Sequence, residues 1–170
     1  MTQTQSALHP FDRLLAGAAK TLASVRYCWL LTDARTGWLS ARPMGRLQRD
    51  VDKDDWRLLF IADGRSRKAR ELQLTGHAAV VVQSGDEAFV TLTGIPTLRA
   101  DATRARQLLQ SSFETYFPSA EDQAHATVIE IDTQCMDLWI RGVTPEPFGL
   151  HPVRLGRDAA RKWQLIPLEA

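Results

Sequence analysis

Seven or eight apolar runs of strand length, most of them parted by short turns, share this chain with only three stretches of helical period. That ratio is the strongest constraint on the fold. A doubly wound parallel sheet needs a crossover, usually a helix, after nearly every strand, and the chain does not supply them. Short turns between neighbouring strands join antiparallel partners instead. The predicted architecture is mainly β with some α: an antiparallel barrel with helices plugging its ends.

The elements can be placed along the chain. Phe11, Leu14, Leu15, Ala18, Leu22 and Val25 recur at helical spacing behind Pro10, predicting an amphipathic helix of about 15 residues. The runs 27–32 and 38–44 read as a hairpin around the turn 33–37. A polar connection from Gly45 to Trp56 carries an acidic run, Asp50, Asp52, Asp54 and Asp55, read as solvated surface. It leads into a buried strand, Leu58 to Ala62. Ser66 is an N-cap for a helix running to about Thr75, with Gly76 as its stop. Ala78 to Val82 is a strand, and Val90, Leu92 and Leu98 share one parity of the next, with Gly94 or Pro96 placed to bend it. Asp101 caps a further helix, with Ala105, Leu108, Leu109, Ser112 and Tyr116 on one face and Pro118 beyond its end. Strands at 127–132 and 135–141 are expected to be joined by a tight turn at Thr133 and Gln134. A terminal hairpin is expected from Val153–Arg157 and Lys162–Ile166, with a short helix as the competing reading.

Composition removes several functional classes. At 170 residues the chain is about one domain, and a net charge of +1 argues against a nucleic-acid binder working by bulk electrostatics. No apolar stretch approaches the roughly 18 residues that span a bilayer. The polar first seven residues are expected to fray, and neither a basic nor an apolar signal region follows them. Two cysteines, Cys28 and Cys135, cannot build a disulfide framework, so a reducing cytoplasm is the expected location.

The chemistry concentrates in a few places. In Asp63-Gly64-Arg65-Ser66-Arg67-Lys68-Ala69-Arg70 the first turn of a helix carries Arg67, Lys68 and Arg70, the wrong sign for the positive end of the helix dipole. A bound anion, held by backbone N–H groups, Ser66 and two or three cations, reconciles this and suggests a phosphate site. An ordinary solvated basic face is the competing explanation. Trp139 lies on the polar side of its strand with Asp137 and Arg141, so it covers apolar surface, meets a second subunit or stacks on a planar ligand. Pro43 removes a ladder donor beside Arg42 and Met44, leaving neighbouring backbone groups free. His9, His77, His125 and His151 show no metal spacing, and no nucleophile elbow, Walker loop or dinucleotide fingerprint is present. A catalytic role would therefore draw its reactivity from a cofactor.

The order of these elements resembles the pyridoxamine 5'-phosphate oxidase-like FMN-binding split barrels, with the general stress protein 26-like branch the nearest in pattern. The resemblance rests on the leading helix, the hairpin ending in Arg42-Pro43-Met44, the strand Phe60-Ile61-Ala62, the helix start Ser66-Arg67-Lys68 and the late strand bearing Trp139. It covers residues 10–142, and implies a flexible 1–9 and a C-terminal extension, 143–170, packed on the same domain. It implies an antiparallel split β-barrel, a homodimer with flavin at the subunit interface, FMN (or FAD) as cofactor and a small-molecule substrate, with neither nucleic acid nor membrane as partner. By that likeness Ser66, Arg67 and Lys68 hold the phosphate. Arg42, Pro43 and Met44 run along the ribityl chain and ring, Phe60, Ile61 and Ala62 form a wall, and Trp139 reaches the flavin from the other subunit. The Arg-x-His pair that follows the tryptophan in true pyridoxamine phosphate oxidases is replaced by Ile140-Arg141-Gly142-Val143-Thr144, so oxidation of vitamin B6 is not expected. The implied function is a flavin-dependent oxidoreductase. The alternatives are a non-catalytic flavin-storing stress protein and a relative that binds deazaflavin or haem.

Overall fold

A computed structural model describes residues 10–35, 37–47 and 56–167. The first nine residues and the acidic run at 50–55 lie outside the described residues. In chain order the elements are α1 (Pro10–Ser24), β1 (Tyr27–Asp33), β2 (Leu39–Gly45), β3 (Arg57–Asp63), α2 (Arg67–Thr75), β4 (Ala78–Ser84) and β5 (Ala88–Ala100). They continue as α3 (Ala102–Leu109), α4 (Phe113–Tyr116), α5 (Ala120–Ala124), β6 (Ala126–Ile140), β7 (Val153–Arg157) and β8 (Trp163–Ile166).

All eight strands join one antiparallel sheet in the order β2-β1-β4-β5-β6-β7-β8, with β3 paired to β6 off that path. β6 organises the sheet. One of its edges pairs with β5 along nearly its whole length, and the other is divided between β3 (Ala126–Asp132) and β7 (Cys135–Leu138). The sheet curls without closing into a continuous ladder. The isolated bridge Leu47–Leu59, with the Leu47 N–H donating to the Leu59 carbonyl at 3.0 Å, ties the end of β2 back to β3.

The expected hairpin at residues 127–141 is instead this single strand. Thr93 faces Cys135 and Gly94 faces Thr133, so Gln134 is an extra residue that bends β6 without reversing it. Its amide turns back to the Asp132 carbonyl (3.2 Å) and carboxylate (2.9 Å), which satisfies the irregularity locally. Gly94 is required here: a β-carbon would sit 2.9 Å from Thr133 Cα and overlap the Asp132 carbonyl.

The continuous helix expected after Asp101 is also broken. Asp101 caps α3 by accepting from the Arg104 N–H at 2.8 Å, but Gln110 takes φ 50° and ψ −125°, and a 3-10 turn separates α3 from α4. The periodic face does not carry through the break. Ala105 is buried and Tyr116 is exposed, while Phe113 and Phe117 turn inward as a stacked pair 5.1 Å apart. A short α5, capped by Ser119 accepting from the Asp122 N–H at 3.0 Å, has no counterpart in the sequence expectations. Arg106 binds the three pieces: it lies 4.4 Å over the Phe113 ring, donates to Gln123 at 2.7 Å and pairs with Glu114.

Two apolar clusters flank β3 and the first half of β6. Leu58, Phe60, Ile129 and Ile131 join α1 and the barrel interior, while Leu59, Ala126 and Val128 pack under Ala105, Phe113 and Phe117. Both faces of these strands are therefore covered, which explains their near-continuous apolar runs. Each buried Leu, Ile or Phe contributes roughly 1.5–3 kcal/mol. The terminal hairpin β7–β8 extends the sheet from β6, burying Leu155 and setting Trp163 against Trp56.

Candidate functional site

A cavity of about 710 Å3 opens where β2 and β3 part beside the start of α2. The end of β2 and the following chain supply Pro43, Met44, Gly45, Arg46 and Leu47. β3 supplies Ile61, Ala62 and Asp63, α2 supplies Lys68, and Arg26 and Tyr27 lie at the start of β1. The far wall is Leu108, Leu109, Ser112, Tyr116 and Phe117, with Asp122 from α5. The volume lies within the range of small-molecule sites, and the lining mixes apolar side chains with charged and hydroxyl-bearing ones.

Local sequence explains the placement of each wall. Ser66 has extended backbone (φ −65°, ψ 154°) and its hydroxyl accepts from the Ala69 N–H, so α2 begins there. Gly76 ends it with φ 68°. Gly64 lets the chain leave β3 close to β6, because a β-carbon would meet the Thr127 hydroxyl at 2.5 Å. The Gly64 N–H donates to the His125 carbonyl at 2.9 Å. This turn sets Lys68 beside the exposed end of β3.

The charges around the cavity are unequally paired. Lys68 has no hydrogen-bond or ion-pair partner among the described residues, and burial, then the charge of Arg42, push its ammonium below its usual pKa. Both carboxylates in the lining are already engaged. Arg65 donates to Asp63 at 2.7 Å, to Asp122 at 2.8 Å and to Glu121 at 2.8 Å. Arg65 thereby lowers the pKa of Asp63, and with Ser119 that of Asp122. Arg46, also in the wall, is buried, donates to the Leu22 and Val25 carbonyls at the end of α1, and suits the negative end of that helix. Beside it the Cys28 thiol is pushed up to about 11 by burial and is not a nucleophile. No cluster of His, Cys, Asp and Glu suited to a metal occurs among the described residues.

The structure brings Pro43, Met44, Ile61, Ala62 and Lys68 together in the cavity wall. It places the other five candidates elsewhere. Phe60 is fully buried in the core between β3 and α1, on the opposite face from Ile61. Ser66 uses its hydroxyl as the helix cap. Arg42 points beneath α2, donating to Thr32 Oγ1 at 2.5 Å and to Glu71 at 2.9 Å. Arg67 lies on the outer face of α2, its Nε 3.3 Å from Glu71. Trp139 is half-buried on the outer face of β6, directly across from Phe89 on β5.

The sequence reading did not single out Tyr27, Arg46 or the α3–α4 wall. Tyr27 had a signal: it is a large aromatic on the outward parity of β1, like Trp29. Ser112 and Tyr116 also had one, as polar groups on an otherwise apolar helical face. Arg46 had none, because its partners lie on α1, more than twenty residues earlier.

The outer face of the sheet continues from the cavity mouth. Register places Tyr27, Trp29 and Leu31 on the same side as Pro43, Ala41 and Leu39 of β2, and as Val81 and Ala79 of β4. The same side extends through Thr91 and Phe89 to Trp139. Tyr27 is 57% and Trp29 53% exposed.

Residues 16–144 match the protein family described as Pyridoxamine 5'-phosphate oxidase like. Solved structures share the fold. A Clostridium acetobutylicum protein related to general stress protein 26 of B. subtilis superposes with TM-score 0.66 at 13% identity, over 88% of this chain and 96% of that one. A pyridoxamine 5'-phosphate oxidase-related, FMN-binding protein from Nostoc punctiforme gives 0.63 at 17% identity, over 95% and 100%. PhzG from Burkholderia lata, in complex with tetrahydrophenazine-1-carboxylic acid, gives 0.63 at 17%, over 98% and 95%. No curated protein sequence matches the chain significantly. The chain belongs to the pyridoxamine 5'-phosphate oxidase-like family, and its fold is that family's split barrel.

Proposed function

We propose that this member of the pyridoxamine 5'-phosphate oxidase-like family binds FMN in the cavity between β2 and β3 and acts as a flavin-dependent oxidoreductase on a small molecule. The observation that carries the reading is Lys68, a cation at the start of a helix with no hydrogen-bond or ion-pair partner among the described residues, inside a cavity whose two carboxylates, Asp63 and Asp122, are paired with Arg65. A cation beside the N–H groups of a helix start suits a phosphate. Met44, Ile61, Leu108, Leu109 and Phe117 offer the apolar walls that a planar ring system needs, and Tyr27 stands at the mouth. That donor set fits a flavin phosphate.

A bound flavin supplies hydride exchange between donor and acceptor. The chain's part is to hold the phosphate at Lys68, to fix the ring through free backbone groups beside Pro43, and to keep water from it with the α3–α4 wall. No lining carboxylate is free for acid–base work, since Asp63 and Asp122 are both held by Arg65.

The exposed apolar face supports a homodimer. It centres on Tyr27, Trp29, Leu39 and Pro43, of which Tyr27 and Pro43 also line the cavity. Two-fold pairing through one self-complementary face is the commonest oligomeric arrangement, and this one would bury those side chains.

The test compares FMN with riboflavin. Titration followed by flavin fluorescence should show FMN bound more tightly, and Lys68→Ala should weaken FMN about tenfold to a hundredfold while leaving riboflavin within about twofold. Equal losses for both ligands, or no flavin bands in the visible spectrum after incubation with FMN, would overturn the assignment. Anaerobic reduction followed by reoxidation with candidate acceptors separates an oxidoreductase from a flavin store.

A further inference from the structure

The cavity carries cations at two places. Lys68 lies at one, close enough to Arg42 and Asp63 to feel both charges. Arg26 and Arg46 lie at the other, where both line the wall and the Arg46 N–H donates to the Arg26 carbonyl at 2.9 Å. Arg42 and Arg46 stand four residues apart on extended chain, roughly 13 Å. A single phosphate held at Lys68 therefore leaves the Arg26–Arg46 end to something else.

That end is short of negative charge. Arg46 is only 6% exposed, its acceptors are the neutral carbonyls of Leu22 and Val25, and its Nε has no partner. The negative end of α1 offsets about half a charge. The Arg26 guanidinium lies 5.5 Å over the Tyr27 ring. Neither arginine has a carboxylate partner among the described residues. Next to them the wall turns apolar: Leu47 packs with Leu108 and Leu109 against one hydrophobic cluster.

We infer that the Arg26–Arg46 end is a subsite for the carboxylate of a small apolar acid, with Arg26 as its direct partner, Arg46 as the buried charge behind it, and Leu47, Leu108 and Leu109 against its body. This rests on reading the cavity as a flavin site and names the class of reactant that shares it. A guanidinium fork matches a carboxylate through two parallel hydrogen bonds. A buried guanidinium without a full counter-charge adds to the attraction, because little solvent screens it. The neutral amide of the same acid gains neither effect.

The experiment titrates the full chain, with and without FMN, with benzoate and with benzamide, and repeats the titrations on Arg26→Gln. Benzoate should bind the wild-type chain at least about tenfold more tightly than benzamide. Arg26→Gln, a change to an exposed side chain, should bring the two probes within about twofold of each other and alter FMN affinity by less than about threefold. Equal binding of both probes to the wild-type chain, or a benzoate preference that survives Arg26→Gln, overturns the inference. So does an FMN affinity lowered about tenfold or more in the variant, which would put the flavin's own phosphate at this end. If the benzoate preference depends on Arg26 while FMN binds neither protein, the flavin reading falls and the acid subsite stands.

Discussion

The indole rings of Trp56 and Trp163 meet edge to face with centroids 5.8 Å apart, fastening the terminal hairpin to the start of β3. Arg157 adds a cation 4.9 Å over the Trp163 ring. Trp163→Ala removes both contacts and part of the buried surface of β8. It should lower stability by about 2–3 kcal/mol. Urea unfolding with an unchanged slope would report this, and a loss below about 0.5 kcal/mol would mean that the hairpin is not energetically coupled to the barrel.

At the bend of β6, Gly94 lies against the backbone of Asp132 and Thr133, which cannot move aside as a side-chain tip can. Gly94→Ala should therefore destabilise by about 3 kcal/mol, well beyond the usual effect of the same change in an open strand. Thermal unfolding is the measurement, and a neutral outcome would contradict the bulge geometry.

Acid sensitivity follows from Glu71. Burial raises its pKa, but hydrogen bonds from Thr32 and Arg42 outweigh burial and hold it below the ordinary 4.5. A carboxylate lowered on folding stabilises the native state above its unfolded pKa and loses that contribution as pH falls through the native one. Stability should be flat above about pH 6 and decline below pH 4.5, with Asp63 and Asp132, lowered by arginine partners, and Asp122, lowered by Ser119 and Arg65, adding to the decline. Glu71→Gln should start from lower stability at neutral pH and show a shallower slope between about pH 5 and pH 3.

Trp29 stands at the centre of the outer apolar face, between Pro43 and Val81. If two copies pair through that face, Trp29→Glu places a charge in the middle of the contact and should yield monomers by light scattering coupled to gel filtration. Far-UV circular dichroism should be unchanged, because the side chain makes no core contact. A variant that keeps the wild-type mass would exclude this face as the interface.

Much of the architecture was legible because it is locally encoded. Pro10, Ser66 and Gly76 mark helix ends by their own backbone chemistry, and the spacing of apolar residues in α1 is unambiguous. The exceptions share a physical cause. Thr133 and Gln134 have the composition of a turn, yet the ladder with β5, which resumes on both sides of the bulge, holds them in a strand, and the close approach it requires is allowed by Gly94, some forty residues earlier. The break at Gln110 likewise follows from packing, which turns Phe113 and Phe117 inward against β3 and β6. Around the cavity, local pattern pointed to Pro43, Met44, Ile61, Ala62 and Lys68, which all line it. It could not show that Arg42 and Arg67 turn towards Glu71, because a sequence displays which charges are near in the chain and not which ones pair.

Arg46 joins the cavity wall to the carbonyls of Leu22 and Val25, so the leading helix is a structural component of the cavity. A chain shortened past α1 would leave a permanently charged group facing the chamber with no dipole to oppose it. It would also strip Leu14, Ala18 and Leu22 from the core, so the amino-terminal boundary of any expressed version decides both whether the barrel interior is covered and how polar the cavity is.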